Sequence, residues 1–329
     1  MPAGSAEVLG GAFDLGLAKA VHGIPEGPGL LYEAKVDGFR VSISVAHGAV
    51  RIRSRTGTDL TARFPELAEA AAAQIPDSTV VDGEAVIWNR GRLDFDSLQR
   101  RLGVGPALAR QRARQRPASF VAFDVLAILG RDVRPMALKD RRALLEELAE
   151  GFAPPLQLSP ATTDVDVARA WWAGLAGAKV EGIMAKRLDE PYYGGERRWM
   201  KSKRLEAEDA VVAAVIGSRA RPSQLVLGIF DDAGRLRFAG RTGPLSAAQA
   251  ARVAPFLRRP AREHPWPEEV PSTLIDRFAR ERTLVHLTLV EPVVVEVSAD
   301  SARSGIAFRH VVRLIRARPE LDPAEVRID

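Results

Sequence analysis

The sequence predicts an α+β protein of two domains, and three observations lead to this prediction. Short apolar strands alternate with amphipathic helical segments through residues 1–204. Residues 205–329 are dominated by β-patterned runs, with one amphipathic stretch among them. A length of 329 residues also fits two modest domains. We therefore expect one domain over residues 1–204 and a second over residues 205–329.

The composition is that of a globular protein and excludes several classes of site. Hydrophobic residues make up 46% and charged residues 27%, enough to build a core without resembling a disordered chain. There is no cysteine, which excludes disulfides, cysteine metal sites and thiol nucleophiles. No signal peptide and no long apolar run is present, so we expect a cytoplasmic protein without a membrane span.

The chain is basic, and its arginines are unevenly spread. The net charge is +5 and the pI is about 9.8. Six arginines fall within residues 100–116: Arg100, Arg101, Arg110, Arg112, Arg114 and Arg116. This excess could neutralise nucleic-acid phosphates, or it could be a solvated arginine-rich helix and loop.

Residues 40–55 predict a β-hairpin that turns at residues 47–48. Its apolar residues alternate with polar ones: Val41, Ile43, Val45, Val50 and Ile52. Because side chains alternate between the two faces of a strand, Arg51, Arg53 and Arg55 are expected to share the opposite, basic face.

The other elements follow from periodicity. Three segments have helical patterning: residues 63–75, 137–150 and 164–176. Apolar strands are predicted between and after them: residues 79–88, 119–129 and 179–187. No glycine-rich loop opens a helix, so neither the dinucleotide fingerprint nor the P-loop is present.

The second domain has the pattern of a small barrel. Four strand runs surround one amphipathic stretch at residues 246–257, and these runs are residues 210–217, 224–230, 235–243 and 284–298. Several short strands with one helix make an OB-fold β-barrel the natural candidate.

The strongest chemical signal is YEAKVDGFR, residues 32–40, which places Lys35 at the end of an apolar strand and fits K-x-D-G-x-R. An amine attacks phosphorus only when neutral, which costs roughly 4 to 5 kcal/mol for an ordinary lysine at pH 7. An isolated lysine of this kind would be read as a surface residue beside an Asp-Gly turn. The pattern resembles the nucleotide-charging motif of the covalent nucleotidyltransferases, which include ATP-dependent DNA ligases, RNA ligases and mRNA capping enzymes.

Five further segments resemble the successive motifs of the DNA ligase family, in the same order and with similar spacing. They are SRTGTDLT (54–61), VVDGEAVIW (80–88), FVAFDVLAI (120–128), EGIMAKR (181–187) and WMKSKR (199–204). The resemblance implies an adenylation (nucleotidyltransferase) domain of antiparallel sheets and helices over residues 1–204. It also implies an ATP-dependent DNA ligase that seals nicks between a 5′-phosphate and a 3′-hydroxyl through a lysyl-AMP intermediate.

The resemblance assigns roles to the residues of the first domain. Lys35 is the nucleophile, and Lys201 and Lys203 would bind the α-phosphate, with solvated strand lysines as the alternative. Glu33 and Phe123 correspond to the adenine contacts, by hydrogen bond and by ring stacking.

The remaining positions concern ribose, metal and phosphate. Glu84 and Glu181 would hold the ribose and a divalent metal, Mg²⁺ or Mn²⁺, because carboxylate oxygens suit these ions. Lys186 lies in the nucleotide-binding segment, and Arg40 and Arg55 correspond to residues that bind ribose and the 5′-phosphate of the nick. Three nearby acids could instead serve the fold: Asp37, Asp82 and Asp124.

The C-terminal segment, FRHVVRLIRARPELD, resembles the last ligase motif, whose basic residues orient the departing pyrophosphate. Arg309, Arg316 and Arg318 suit that role. Where the motif usually ends in Asp-Lys, this chain has Pro-Glu-Leu at residues 319–321. The role of that lysine in the first step is therefore in doubt. An amphipathic helix or strand packed on the barrel is the alternative.

Because 34 residues precede Lys35, the resemblance implies a small bacterial ligase without a large DNA-clamping domain. Nicked or broken double-stranded DNA is the expected partner of a monomer near the nucleoid, with any repair proteins acting in trans. Two alternatives stay open: a capping enzyme or RNA ligase with the same lysine chemistry, and a nucleic-acid-binding protein without catalysis.

Overall fold

The computed structural model describes residues 13–174, 182–203, 205–231, 233–275, 283–300 and 303–326. The chain divides into two compact units, residues 1–204 and residues 205–329. Both are built from mainly antiparallel sheets with a few helices, and β1–β12 and β7–β9 are parallel pairs, so the predicted mixture of helices and antiparallel strands is confirmed in outline.

The first unit contains twelve strands and five helices in its described residues. The strands are β1 (Ala18–Val21), β2 (Leu30–Lys35), β3 (Phe39–Ala46), β4 (Ala49–Ser54), β5 (Thr79–Asn89), β6 (Arg92–Leu93), β7 (Ala118–Ile128), β8 (Arg131–Asp132), β9 (Leu156–Leu158), β10 (Ala161–Thr162), β11 (Gly182–Arg187) and β12 (Trp199–Lys203). The helices are α1 (Pro65–Gln74), α2 (Phe95–Leu102), α3 (Pro106–Gln115), α4 (Leu138–Ala149) and α5 (Val165–Gly174).

These strands form two main sheets. The nucleotide-motif sheet has the order β1-β12-β11-β2-β10, and the hairpin sheet has the order β4-β3-β5-β7-β8, with β6 and β9 attached. The predicted hairpin is confirmed as β3 and β4, whose connecting residues His47 and Gly48 both have positive φ. Two-residue hairpin turns of this kind match the twist of the strands that they join.

The strands of each sheet alternate apolar and polar side chains, so each sheet has an apolar face. Helices cover that face. Against the hairpin sheet, α1 packs buried Leu67 and Ala71 in a core that includes Ile43 and Phe120. Against the nucleotide-motif sheet, α5 contributes Trp171 and three further residues to a smaller cluster. The other faces of the two sheets are left for the cavity described below.

The arginine-rich segment, residues 100–116, lies on α2 and α3 and the turns beside them. Arg101 is buried, and its guanidinium donates to Glu66 Oε1 at 2.6 Å and to the Arg116 carbonyl at 2.6 Å. Part of this excess of arginines therefore stabilises the fold, although neighbouring arginines are exposed.

The second unit has nine strands and two helices in its described residues. They are β13 (Leu205–Ser218), β14 (Arg221–Phe230), β15 (Leu236–Arg241), β16 (Glu269–Pro271), β17 (Leu284–His286), β18 (Thr288–Asp300), β19 (Arg303–Ser304), β20 (Ala307–Phe308), β21 (Arg313–Ala317), α6 (Ala247–Val253) and α7 (Ser272–Ile275). A five-stranded antiparallel sheet has the order β15-β14-β13-β18-β21.

The run at residues 284–298, predicted as one strand, is divided at Leu287. Leu287 is fully buried, and its backbone N–H donates to the Glu268 carbonyl at 2.7 Å. β17 then pairs with β16 while β18 joins the main sheet, so two different partners account for the break. Among the described residues, no helix has the length and apolar character needed to cross a membrane.

Candidate active site

The candidate nucleophile and its predicted phosphate ligands lie on three adjacent strands. The register forms two rows across β2, β11 and β12: Lys35–Gly182–Lys203 and Glu33–Met184–Lys201. Because side chains two apart on a strand share a face, Lys35, Glu33, Lys201 and Lys203 all project from the same face of the sheet. Two sequence segments more than 160 residues apart are thereby brought together.

That face and the hairpin sheet enclose a cavity of about 550 Å³ within the first unit. Its size is in the range of small-molecule and cofactor sites. It is lined by eight of the residues that the sequence singled out: Glu33, Lys35, Arg40, Arg55, Glu84, Phe123, Lys186 and Lys201. Lys203 does not line it, and Glu181 lies outside the described residues.

Glu33 is the acidic member of a buried ionic cluster. Its Oε2 lies 2.7 Å from Lys186 Nζ, and its Oε1 lies 3.7 Å from Arg142 Nη1. All three residues are at most 7% exposed. Oε1 is a buried atom that accepts no hydrogen bond from any described residue, and the Arg142 Nη1 that it faces likewise has no hydrogen-bond partner among them.

An aromatic corner forms one wall of the cavity. The rings of Phe123 and Trp199 meet edge to face at 6.0 Å between centroids. The Lys186 ammonium lies 4.5 Å from the Phe123 centroid and 4.3 Å from that of Trp199. Cations at such distances are attracted by the ring quadrupole. Trp199 was missed at the sequence level, although its position two residues before Lys201 on one strand could have revealed it.

Arg40 lines the cavity, but its guanidinium is held mainly by the protein. It donates to both carboxylate oxygens of Asp82, at 3.0 and 2.6 Å, and to the Tyr192 hydroxyl at 3.2 Å. A fourth hydrogen bond goes to the Gly16 carbonyl. Burial alone would lower the pKa of Arg40, but the charge of Asp82 raises it above its usual value.

These bonds give Arg40 a positioning role that the sequence did not indicate. Tyr192 donates to Asp82 Oδ2 at 2.7 Å and accepts from the Gly16 backbone at 2.9 Å, so the network ties residues 14–17 to the cavity wall. Burial, and then the charge of Asp82, raises the pKa of Tyr192 well above its usual value, which keeps the hydroxyl a donor. Binding of ribose or a 5′-phosphate by Arg40 and Arg55 stays a prediction.

The remaining acids serve different purposes. Asp124 forms a buried bidentate pair with Arg141, at 2.8 and 3.0 Å, with both side chains at most 1% exposed. It therefore belongs to the fold. Glu84 lies directly opposite Arg40 in the pairing of β3 with β5, and it faces the cavity. No group of three His, Cys, Asp or Glu that could hold a metal occurs among the described residues.

Gly38, in the K-x-D-G-x-R motif, lies where β3 meets the backbone of β5. A Cβ at this position would lie 2.3 Å from the Ala85 carbonyl oxygen and 2.9 Å from Glu84 Cγ. Any side chain would therefore push the start of β3 away from the strand that carries Glu84.

We expect Gly38→Ala to lower the rate of lysyl-nucleotide formation about a hundredfold, because small misplacements of reacting groups have effects of that order. Overpacking should also destabilise the protein by about 1–3 kcal/mol. Single-turnover labelling and urea unfolding measure the two effects. Gly103→Ala is the matched control, since its Cβ would meet nothing within 4 Å. A Gly38→Ala variant as active as that control would contradict the argument.

The predicted C-terminal residues lie in the second unit. Arg309 follows β20 and lines a smaller pocket there, where burial lowers its pKa to about 10. Arg316 pairs with Glu296 at 2.6 Å on the surface, and Arg318 pairs with Asp209 at 3.1 Å. Residues 313–317 form β21, so this part of the segment is a strand; its role at the pyrophosphate stays a prediction.

Comparison with known proteins identifies close relatives of the whole chain. DNA ligase C2 of Mycolicibacterium smegmatis is 35% identical over 326 residues, which cover 93% of this chain and 90% of that protein. The multifunctional non-homologous end joining DNA repair protein LigD of Mycobacterium tuberculosis is 34% identical over 270 residues, or 80% of this chain and 33% of LigD.

A solved structure and a family model agree with these relatives. The structure of mycobacterial DNA ligase D complexed with ATP and MES is 28% identical, with a TM-score of 0.50, and covers 96% of this chain and 98% of that one. Residues 16–203, more than half of the chain, match the family model of the ATP dependent DNA ligase domain. With the nucleotidyl-transfer motifs gathered around one cavity, the chain belongs to the ATP-dependent DNA ligase family and is a DNA ligase that uses ATP.

Proposed function

We propose that this ligase charges Lys35 with AMP and passes the AMP to the 5′-phosphate of a broken strand in duplex DNA. The observation that carries the proposal is the pairing of β11 with β2 on one side and with β12 on the other, which puts Lys35, Lys201 and Lys203 on one sheet face. A nucleophilic amine and a cation at the cavity, with a second cation on the same sheet face, suit attack on a phosphate ester.

The reaction proceeds in three phosphoryl transfers. Lys35 Nζ attacks the α-phosphorus of ATP, a P–N bond forms, and the bond to pyrophosphate breaks. A 5′-phosphate oxygen of the DNA then attacks the AMP phosphorus and releases Lys35. Finally the 3′-hydroxyl attacks the activated 5′-phosphate, and AMP leaves. Lys201 and Lys203 balance the charge that develops on the nonbridging oxygens.

We assign recognition of the nucleotide base to the part of the same sheet face that carries Glu33. The 6-amino group of adenine is a hydrogen-bond donor, whereas guanine has a keto oxygen at this position. The carboxylate of Glu33, which lines the cavity, suits the amino group. Phe123 offers a ring for stacking, and Lys186 Nζ lies 2.7 Å from one oxygen of that carboxylate.

A divalent metal fits the donor set. Mg²⁺ is usually held by one or two carboxylates together with substrate phosphates, so a dedicated protein cage is not required. Glu84 faces the cavity and would be one ligand; Glu181 is proposed as the second from the motif resemblance. The metal, Mg²⁺ or Mn²⁺, would supply charge neutralisation at the phosphates.

We assign residues 1–204 to the adenylation domain and residues 205–329 to an OB-fold domain. The OB-fold assignment is supported by an isolated parallel bridge between the two edges of the five-stranded sheet. Thr242, directly after β15, bridges Val312, directly before β21, and the two flanking backbone hydrogen bonds are 2.9 and 3.1 Å long. Closure of a five-stranded antiparallel sheet is a property of this fold. We assign Arg309 and Arg316 to the pyrophosphate-orienting motif.

The cellular role is proposed from the relatives. LigD is named for non-homologous end joining and DNA repair, and its ligase domain resembles this chain. We therefore propose repair of nicked or broken duplex DNA, in the bacterial cytoplasm, by a monomer that works with separate repair proteins.

The deciding experiment incubates the protein with α-labelled ATP or GTP and Mg²⁺, separates it under denaturing conditions, and adds nicked DNA to a parallel sample. We expect label from ATP alone, retained after denaturation and discharged by nicked DNA into sealed product. Label from GTP alone would indicate capping chemistry, and no label from either nucleotide would indicate a binding protein.

A further inference from the structure

The arginine-rich segment before β7 forms a second pocket in the first unit, which we name the arginine pocket. It has a volume of about 140 Å³ and is formed by α2, α3 and the end of β5. Four of its lining residues are arginines: Arg100, Arg101, Arg112 and Arg116. It shares no lining residue with the cavity that Lys35 lines, so the two are separate.

The guanidinium groups of the arginine pocket converge, although they carry like charges. Arg100 Nη2 and Arg116 Nη1 both donate to the Ser97 hydroxyl, at 2.9 and 3.1 Å. Arg112 Nη1 reaches the C-terminal turn of α2, where it donates to the Arg100 carbonyl at 2.5 Å. Like charges repel, so an anion in the pocket would relieve the repulsion between groups that these acceptors hold together.

The carboxylates that pair with these arginines balance only half of the charge. Two ion pairs border the pocket, at 2.6 and 2.7 Å: Arg101 with Glu66 and Arg116 with Asp94. Arg100, which is exposed, and Arg112, which is half-buried, form no salt bridge with a described residue. Each guanidinium has five N–H donors, and these two each use one of them on the described protein. Guanidiniums with donors to spare bind phosphate oxygens through paired hydrogen bonds, so the pocket suits a phosphate group.

The arginine pocket lies at the end of the hairpin sheet where the K-x-D-G-x-R motif enters β3. Phe39, in that motif, pairs with Ala85 of β5 and stacks on Phe95 of α2, with ring centroids 5.2 Å apart. Ile87, which lines the pocket, follows Glu84, which lines the cavity, by three residues, or about 10 Å of extended strand. Double-stranded DNA carries one charge per about 1.7 Å, so a duplex presents about six phosphates over that distance. A duplex whose nick lies at the cavity therefore has backbone phosphates within reach of the pocket.

We propose that the arginine pocket binds one backbone phosphate of duplex DNA beside the nick, with Arg100 and Arg112 as its ligands. The inference rests on the proposed action on broken duplex DNA, and it adds a DNA contact from outside the motif segments. Because the contact is to phosphate, it positions the duplex without reading its sequence. It acts in the steps that involve DNA and not in the charging of Lys35 by ATP.

The test measures two properties of the full chain: the Kd for a nicked duplex, by fluorescence anisotropy over a range of KCl concentrations, and the rate of labelling by ATP. At about 0.1 M KCl, we expect Arg100→Gln/Arg112→Gln to bind the duplex about ten- to a hundredfold more weakly, the usual effect of losing charge-assisted hydrogen bonds. The slope of log Kd against log[KCl] should fall by about one, because one phosphate contact is lost. The rate of labelling by ATP should match that of the wild type, since no residue of the cavity is changed.

Arg110→Gln/Arg114→Gln is the matched control. It removes the same charge from two exposed positions of α3 that do not line the pocket. Its Kd should stay within about threefold of the wild-type value, because exposed charges away from a contact are largely screened by salt. Arg100→Lys/Arg112→Lys keeps the charge without the paired donors and should recover part of the lost affinity.

An unchanged Kd and salt slope in Arg100→Gln/Arg112→Gln would overturn the inference. An equal loss in the control would overturn it as well, because net charge alone would then account for binding. If the pocket variant is not labelled by ATP, Arg112→Gln alone decides by the same criteria. Failure of the wild type to be labelled would overturn the proposed function, whereas the binding measurement would still decide whether the pocket contacts DNA.

Discussion

Lys35→Ala is expected to abolish covalent labelling by ATP and all sealing of nicked DNA. Lys35 ends β2 in the cavity, where an amine is needed to form the phosphoramidate bond. Alanine leaves nothing that can carry AMP, so the loss should exceed about a thousandfold and be limited by the detection of label. Binding of nicked duplex should persist and weaken with salt, because phosphate contacts elsewhere are unaffected.

Peptide mapping of the adenylated wild-type protein is the decisive companion measurement. Lys186 and Lys201 also line the cavity, and either could in principle be modified. AMP on the peptide containing Lys35 is the expected outcome. Lys139→Ala, at an exposed position on α4, should be labelled to the same extent as the wild type. Label that survives in Lys35→Ala would refute the mechanism.

Asp82→Ala is expected to destabilise the first unit by about 3–5 kcal/mol, the usual effect of removing one partner from a buried ion pair. The Asp82 carboxylate is 0% exposed and binds Arg40 through two hydrogen bonds. Its loss leaves a cationic guanidinium 4.6 Å from the Trp199 ring centroid, with two donors deprived of their acceptor. We therefore also expect weaker ATP binding, because the aromatic corner depends on this arrangement.

Urea unfolding followed by circular dichroism measures the stability change, and the KM for ATP measures the effect on the cavity. Asp132→Ala is the matched control. Asp132 also pairs with an arginine, Arg134, but both side chains are about one-third exposed, so the expected change is within about 1 kcal/mol. Equal destabilisation by the two variants would show that burial of the Asp82 pair is unimportant.

Much of the candidate site was predictable because its motifs are local. Lys35, the Lys201-x-Lys203 pair and Phe123 all lie on strands whose alternation is visible in the sequence. Alternation fixes which side chains share a face, so the co-facing of Glu33 with Lys35 needed no structure. The OB-fold assignment and the roles of Arg309 and Arg316 remain predictions.

The network around Arg40 could not be predicted in the same way. Asp82 is 42 residues from Arg40, and Tyr192 is 152 residues away. Nothing in the local pattern distinguishes an arginine that binds a ligand from one that is bound by a buried acid. The register between β3 and β5 decides which side chains meet, and register is a property of the assembled sheet.

The sequence by itself predicted Lys35 as the nucleophile through the resemblance of its ordered motifs to those of ligases, and it predicted the hairpin and the strand-rich second part through residue identity and short-range periodicity. Tertiary structure alone decided that Arg40 is tied to Asp82, and that Arg142 lies 3.7 Å from Glu33 although it comes from outside the motifs. The physical reason is one of range, since strand alternation acts over a few residues whereas ion pairs and cavity walls join side chains from distant segments.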